Sequence, residues 1–433
     1  MNTILLFGAG KSATSLIDYL IKQAAHHTWR IIVADGNLEL AQSKSGGSVY
    51  ATPVQADVKN DEQRNELIEQ ADLVISMLPP SLHLLVAKNC IVAGRHLLTA
   101  SYADEEMKNL APEIKKKGLL FLCEMGLDPG IDHMSAMQLI HRIHAMGGKI
   151  NSFYSHCGGL VAPESDNNPW HYKISWNPRN VVLAGKAGAV YKLDGQVKQL
   201  PYSSIFNCSH TVKIPGYGNL AWYPNRDSLA YIPLYGLEES STFIRTTLRH
   251  PDFCGGWKKV VELDLTDESR QYNTEGLSYK TFLETHLQRI GLSNTGKVSG
   301  IEKILLTYLG LFDDEKINNG LCTAADILQM AVEKKLMLLP QDKDMIIMLH
   351  EIGYELENHP GKITSALIVK GENSMHTAMA KTVGLPLGIA ATLILQGKIT
   401  LTGLHIPILP EIYDPVLNEL RKEGIVFEER NLI

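Results

Sequence analysis

The stretch Thr3-Ile4-Leu5-Leu6-Phe7-Gly8-Ala9-Gly10-Lys11-Ser12-Ala13 decides how the first part of this chain folds. Thr3–Phe7 is an apolar run of strand length, and Lys11–Ala25 continues with helical periodicity, Leu16, Tyr19 and Leu20 sharing one face. Between them Gly8, Gly10 and Ala13 fit G-x-G-x-x-G/A, a strand-to-helix turn of defined mechanics. Gly8 allows a tight turn, Gly10 lets the backbone approach a pyrophosphate, and Ala13 lets helix and strand pack closely. Lys11 and Ser12 complete the turn, whose phosphates would meet free N–H groups at the helix start.

Further apolar strands follow at Trp29–Ala34, within Val49–Val58, and at Leu73–Leu78, Leu97–Ala100 and Leu119–Met125, with helical stretches between. Apolar strands spaced by helices predict an α/β, doubly wound parallel sheet of the Rossmann type. Asp35 ends the second strand. A carboxylate there accepts hydrogen bonds from ribose hydroxyls and repels a 2′-phosphate, and no Arg or Lys follows until Lys44. The expected cofactor is therefore NAD, with NADP as the alternative. Asp57 and Val58 should border the adenine, and Leu78 the pyrophosphate and nicotinamide ribose. Ala100-Ser101-Tyr102 and the loop holding Leu127, Asp128 and Gly130 end strands five and six, where open α/β sheets bind ligands. Asp128 before Pro129 also reads as a helix N-cap with Pro at the first helical position.

After Gly130 the texture changes. Residues 150–262 mix Gly, Pro, Asn, Trp and Tyr with alternating segments such as Tyr231–Leu237 and Lys258–Leu265, which predicts a mostly antiparallel sheet. Residues 278–350, including Ile346–Leu349, read as helical, and Tyr354–Leu356 with Ile363–Val369 as a hairpin. The expected division is a Rossmann domain at 1–129 completed by about 385–433. An α+β domain for substrate and dimerisation follows at 130–275 and 351–384, with a helical insert at 276–350.

Composition narrows the function. A chain of 433 residues with 45% hydrophobic content is globular and too long for one core. A net charge of −6 gives no footprint for nucleic acid. No apolar run is read as approaching the roughly 18 residues that span a membrane. The N-terminus reads as strand and turn rather than as a signal peptide, and the six cysteines lack CxxC spacing, as expected of reduced thiols in the cytoplasm. No metal-ligand spacing is present, so no metal is expected.

Several longer phrases then become recognisable. GLDPGIDHMSAM (126–137), HCGGLVAPESDNNPWHYKISWNPRNVV (156–182), WYPNRDS (222–228) and TFIRTTLRH (242–250) resemble the saccharopine dehydrogenase/reductase family. The resemblance covers residues 1 to about 260, fades through the helical segment and returns at 362–433. It implies an L-glutamate-forming oxidoreductase of lysine metabolism that acts on the secondary amine of saccharopine, as a homodimer. It also implies saccharopine contacts at Ser101, Tyr102, Asp128, Arg226, Arg245, Thr246 and Thr247. Ser175 joins the cofactor set on the same ground. NADP-using relatives carry a Cys-Arg pair where this chain has Asp35, so the resemblance is to the NAD-using branch. Where relatives read Arg-Gly-Thr, this chain has Arg245-Thr246-Thr247.

The residues agree with that expectation. Arg226, Arg245 and Arg249 are candidate partners for substrate carboxylates. Asp128 is the first candidate to orient the amine or relay its proton, with Tyr102 and Cys157 behind it. The alternatives are an NADP-linked reductase of lysine biosynthesis, a carboxynorspermidine-type dehydrogenase, and a catalytically silent binding protein.

Overall fold

The computed structural model describes residues 1–207, 210–292 and 298–432, and the chain divides into two compact units. Met1–Gly148 and Met375–Phe427 form the first. Its strands are β1 (Thr3–Phe7), β2 (Arg30–Asp35), β3 (Ala51–Gln55), β4 (Leu73–Ser76), β5 (His96–Thr99), β6 (Leu120–Leu122) and β18 (Gly403–His405). They form one sheet in the order β18-β6-β5-β4-β1-β2-β3, and every pairing is parallel. Every residue of β1 and β4 is buried, the burial expected of inner parallel strands covered on both faces.

The returning tail contributes the helix Ala378–Leu395, which packs on Thr14–His27. Two glycines set that approach. A Cβ at Gly384 would lie 3.0 Å from Leu16 Cβ, and one at Gly388 2.7 Å from the Tyr19 ring. This helix corrects the sequence expectation about apolar runs: its 18 residues, with mean hydropathy 1.7, are long and apolar enough to cross a membrane. Here 72% of it is buried in the protein, and a helix apolar on all sides suits such a layer. The first unit also keeps the helix Ile131–Ala145.

The second unit, residues 149–374 with the strand at the chain's end, is built on a mixed sheet. Its strands are β7 (Lys149–Val161), β8 (Ala189–Leu193), β9 (Gln196–Leu200), β10 (Thr211–Ile214), β11 (Gly218–Pro224), β12 (Arg226–Asp227), β13 (Thr242–Arg249), β16 (Asp344–Leu356), β17 (His359–Lys370) and β19 (Glu428–Leu432). The main path runs β10-β11-β13-β7-β16-β17-β19, with β8, β9 and β12 beside it. Pairing is antiparallel except at β13–β7 and β12–β8. A small ladder joins β14 (Gln271–Asn273) to β15 (Leu321–Thr323).

Three segments differ from the sequence reading. Ile346–Leu349 is not helical but lies in β16, an inner strand whose first seven residues are all buried; a run apolar on both faces carries no period to tell strand from helix. Tyr231–Leu237 is helical over Ile232–Tyr235, with Pro233 in its first turn and Gly236 closing it in the left-handed conformation. Lys258–Leu265 largely belongs to the helix Pro251–Glu262, whose buried Phe253, Cys254, Trp257 and Val260 follow helical spacing. The helices Tyr279–Arg289, Gly300–Tyr308 and Ala324–Leu336 share one core with Trp170, Tyr223 and Trp257. The five described cysteines are buried; Cys208 lies outside the described residues.

Candidate functional site

In the first unit, Gly8 follows β1 with φ +97°, and a Cβ there would lie 2.9 Å from the Met77 carbonyl oxygen. A side chain is excluded on both counts. At Gly10 a Cβ would meet nothing within 4 Å, so this backbone presents an open face. Neither the turn Lys11–Ala13 nor the helix Thr14–His27 has a side-chain cap, which suits first-turn N–H groups that receive phosphate oxygens. Asp35 does more than end β2. Its Oδ2 accepts the Ala9 N–H at 2.7 Å and its Oδ1 the Asn37 N–H at 2.8 Å, bracing the glycine turn while each oxygen keeps a lone pair for a ribose hydroxyl. Lys44, the first cation after β2, donates to Thr14 Oγ1, and burial lowers its pKa. Asp57 is exposed and closes a turn by accepting the Lys59 N–H at 2.9 Å. Val58 packs into the core, so only its backbone could reach a ligand. Leu78 is half-buried just past β4. These residues fit a nicotinamide dinucleotide.

His83 had no signal in the sequence and proves central here. Its Nδ1 lies 2.8 Å from Ser76 Oγ at the end of β4, and its Nε2 2.8 Å from Ser101 Oγ beyond β5. Burial pushes its pKa down to about 4, so the neutral ring ties two strand ends together and aims Ser101. The unfolded chain takes up this proton near the ordinary value of 6.5 and the folded chain only near 4. The contribution to stability is therefore complete above pH 6.5 and lost as pH falls through that window, by roughly 3 kcal/mol. Denaturant titrations from pH 7 to pH 4 should show a steeper loss of stability in the wild type than in His83→Gln, by this amount. Parallel profiles for the two proteins would contradict a buried neutral His83.

The loop after β6 is closed on itself. Gly126 N–H donates to Pro129 O at 3.0 Å, Ile131 N–H to Gly126 O at 2.9 Å and Asp132 N–H to Leu127 O at 3.0 Å. Gly130 has φ +146°, and a Cβ there would lie 2.1 Å from Gly126 O. The helix consequently starts at Ile131 with Gly130 as its N-cap. Asp128 is not the helix cap that the sequence suggested; it sits half-buried within this loop, and Leu127 is buried. Beneath it is a cluster that the sequence reading missed. Glu124, buried and with φ +58°, accepts the Ala103 N–H at 3.2 Å and holds His133 Nε2 at 2.8 Å. Its own N–H donates to Ser101 O at 3.0 Å. Glu124 thus links the Ser101-Tyr102-Ala103 segment to the helix that follows the Asp128 loop.

In the second unit, alternation along β13 sends Arg245, Thr247 and Arg249 to one face and Thr246 to the other. Thr247 stands beside Cys157 and Tyr223 in the sheet. Arg245 is buried with its guanidinium 4.5 Å from the Tyr231 ring centroid. Arg249 is buried over Tyr172 and Phe253, at 5.2 and 5.5 Å, and its Nε has no hydrogen-bond partner. Thr246 is separated from this set: its Oγ1 meets His156 Nδ1 at 2.6 Å on the opposite face. His156, 3.4 Å from Glu351, and Lys362 at 2.6 Å hold the Glu351 carboxyl down to about 2. Thr246 can join a ligand of Arg245 only through its backbone. Ser175 is buried in this unit.

Arg226 is the most constrained of the candidates. It is exposed, yet its φ of +53° is left-handed, which disfavours any side chain beyond Gly. Its flanks fix that conformation. Asn225 N–H donates to Arg245 O at 2.8 Å, Asp227 Oδ1 accepts the Leu229 N–H at 2.8 Å, and Ser228 Oγ accepts the Arg245 N–H at 3.0 Å. The turn carrying Arg226 is therefore pinned to the strand carrying Arg245.

Comparison with known proteins is consistent along the whole chain. Residues 4–122 match the family described as saccharopine dehydrogenase NADP binding domain, and residues 126–425 the saccharopine dehydrogenase C-terminal domain. The chain is 34% identical to the saccharopine dehydrogenase [NADP(+), L-glutamate-forming] of Saccharomyces cerevisiae, covering 99% of each protein. It is 33% identical to the mitochondrial alpha-aminoadipic semialdehyde synthase of Bos taurus, covering 99% of this chain and 48% of that one. The fold matches the apo L-Glu-forming saccharopine dehydrogenase of Saccharomyces cerevisiae with a TM-score of 0.88 and 33% identity, covering all of both chains. This chain belongs to the saccharopine dehydrogenase family.

Proposed function

We propose that the chain is an L-glutamate-forming saccharopine dehydrogenase that oxidises the secondary amine of saccharopine with NAD. The C–H bond beside the amine on the lysine-derived side loses hydride, and water cleaves the resulting C=N bond. The products are L-glutamate and 2-aminoadipate 6-semialdehyde. The dinucleotide, when bound, accepts the hydride. The chain's residues supply positioning and charge. Within the second unit Arg226 and Arg245 are assigned to the carboxylates; within the first, Ser101, Tyr102 and Asp128 are the expected substrate contacts, Asp128 for the amine. The observation that carries this reading is the strained Arg226 turn pinned to the Arg245 strand: a backbone held in a disfavoured conformation so that one guanidinium is presented. Relatives named for L-glutamate-forming saccharopine dehydrogenase support it.

The choice of NAD rests on Asp35, a carboxylate at the end of β2 that would repel a 2′-phosphate, with Lys44 engaged by Thr14. Several relatives are named for NADP(+), so NADP is the second reading. Steady-state oxidation of saccharopine with each cofactor should give a kcat/KM at least about tenfold higher with NAD, the size of one lost charge-assisted contact. Asp35→Ala should weaken NAD use and relax the rejection of NADP. A wild-type preference for NADP would overturn the cofactor argument and leave the substrate reading standing.

A further inference from the structure

We infer that His171, His250 and Asp252 form a binding site for a divalent transition-metal ion of the zinc type. The residues come from two separated segments of the second unit: His171 from the loop before the helix Pro178–Val182, His250 and Asp252 from the junction of β13 with the helix Pro251–Glu262. One ligand atom from each lies within 4.8 Å of the others. His171 Nε2 is 3.5 Å from Asp252 Oδ2, and His250 Nδ1 is 3.6 Å from the same oxygen. Metal–nitrogen and metal–oxygen bonds near 2 Å place neighbouring ligand atoms roughly 3.3 Å apart, so small side-chain movements would close the set. Two imidazoles and one carboxylate, with positions left for water, are a donor set that zinc and its neighbours accept.

The arrangement of protons points the same way. Asp166 Oδ2 lies 2.6 Å from His171 Nδ1. A carboxylate on one ring nitrogen fixes the tautomer and turns the other nitrogen's lone pair outward, the usual support for a metal-bound histidine. That lone pair faces the Asp252 carboxylate. His250 Nδ1 likewise accepts, taking the Asp252 N–H at a long 3.3 Å. The His171 lone pair therefore meets an anionic oxygen, and the two imidazole rings lie beside it with centroids 3.9 Å apart and planes tilted by 33°. A cation relieves that repulsion. All three ligands are part-exposed, so an ion has access. Occupied, the site would clamp the loop that leads into Tyr172 to the end of the strand that carries Arg249.

The test is titration of the full chain, freed of metal with a chelator, with zinc chloride by calorimetry, and with cobalt(II) by visible absorption. The expected result is one zinc per chain with a Kd of about 10 µM or tighter. A hundredfold excess of zinc over Kd should raise Tm by roughly 5–10 °C. His250→Ala should abolish this rise and Asp252→Asn weaken zinc binding by at least about tenfold, each variant compared with its own metal-free Tm. Absence of zinc uptake below about 1 mM would overturn the assignment. So would a His171→Ala/His250→Ala protein that binds zinc as the wild type does.

Discussion

Arg226→Gly is expected to keep or raise the melting temperature while lowering kcat/KM for saccharopine by about a hundredfold. The two halves of this result come from different physics. The left-handed φ of +53° costs a non-glycine residue roughly 1–2 kcal/mol, which glycine does not incur. The guanidinium is a fork that pairs both oxygens of a carboxylate, and one lost charge-assisted contact is worth about 1.5–3 kcal/mol. Arg226→Lys, which keeps the charge and loses the fork, should fall between, at about tenfold. The KM for NAD should barely move in either variant, because the glycine turn and Asp35 belong to the other unit. If Arg226 merely held its turn in place, Arg226→Gly would leave saccharopine kinetics intact. That outcome removes the substrate role.

Glu124→Ala is expected to destabilise the protein by about 2–4 kcal/mol, the range for breaking a buried charge-assisted pair. The carboxylate is 4% exposed and accepts from both Ala103 N–H and His133, so its removal leaves one buried and one half-buried polar group without this partner. The corresponding fall in Tm is roughly 5–15 °C. Glu124→Gln keeps an acceptor for one of them and should recover about half of the loss. Because the Ser101-Tyr102-Ala103 segment is tied to Glu124, the Gln variant should also show a raised KM for saccharopine at a temperature where it is fully folded. Differential scanning calorimetry with steady-state kinetics on the same preparations checks both. A Glu124→Ala protein with wild-type Tm would show that the cluster is not the brace described here.

The parts that were legible in the sequence are those where local chemistry and fold agree. Gly8, Gly10, Ala13 and Asp35 point to a dinucleotide turn by their spacing, and Gly8 stands where φ and the Met77 carbonyl exclude a side chain. The parallel strands were legible from continuous apolar runs. Asp35's second task, bracing Ala9, was not, because it depends on a register between β1 and β2 that spacing alone does not give. His83, Glu124 and the His156–Glu351 pair were invisible for a related reason. Each acts through partners brought together by the sheet, and a buried histidine has the same letter as an exposed one. Asp128-Pro129 imitated a helix start, but hydrogen bonds among residues 126–132 delay the helix to Ile131. Ile346–Leu349 failed as a helix because a strand buried on both faces has no period. The split of Thr246 from Arg245 and Thr247 follows from strand alternation, once β13 is known to be a strand.

The most direct test of the central claim is to add saccharopine and NAD to the purified chain, and to measure reduced nicotinamide and free glutamate together. The account predicts saccharopine-dependent reduction with one glutamate formed for each nicotinamide reduced, and greatly diminished turnover in Arg226→Gly. No saccharopine-dependent reduction with either NAD or NADP, from folded protein that binds the dinucleotide, would contradict it.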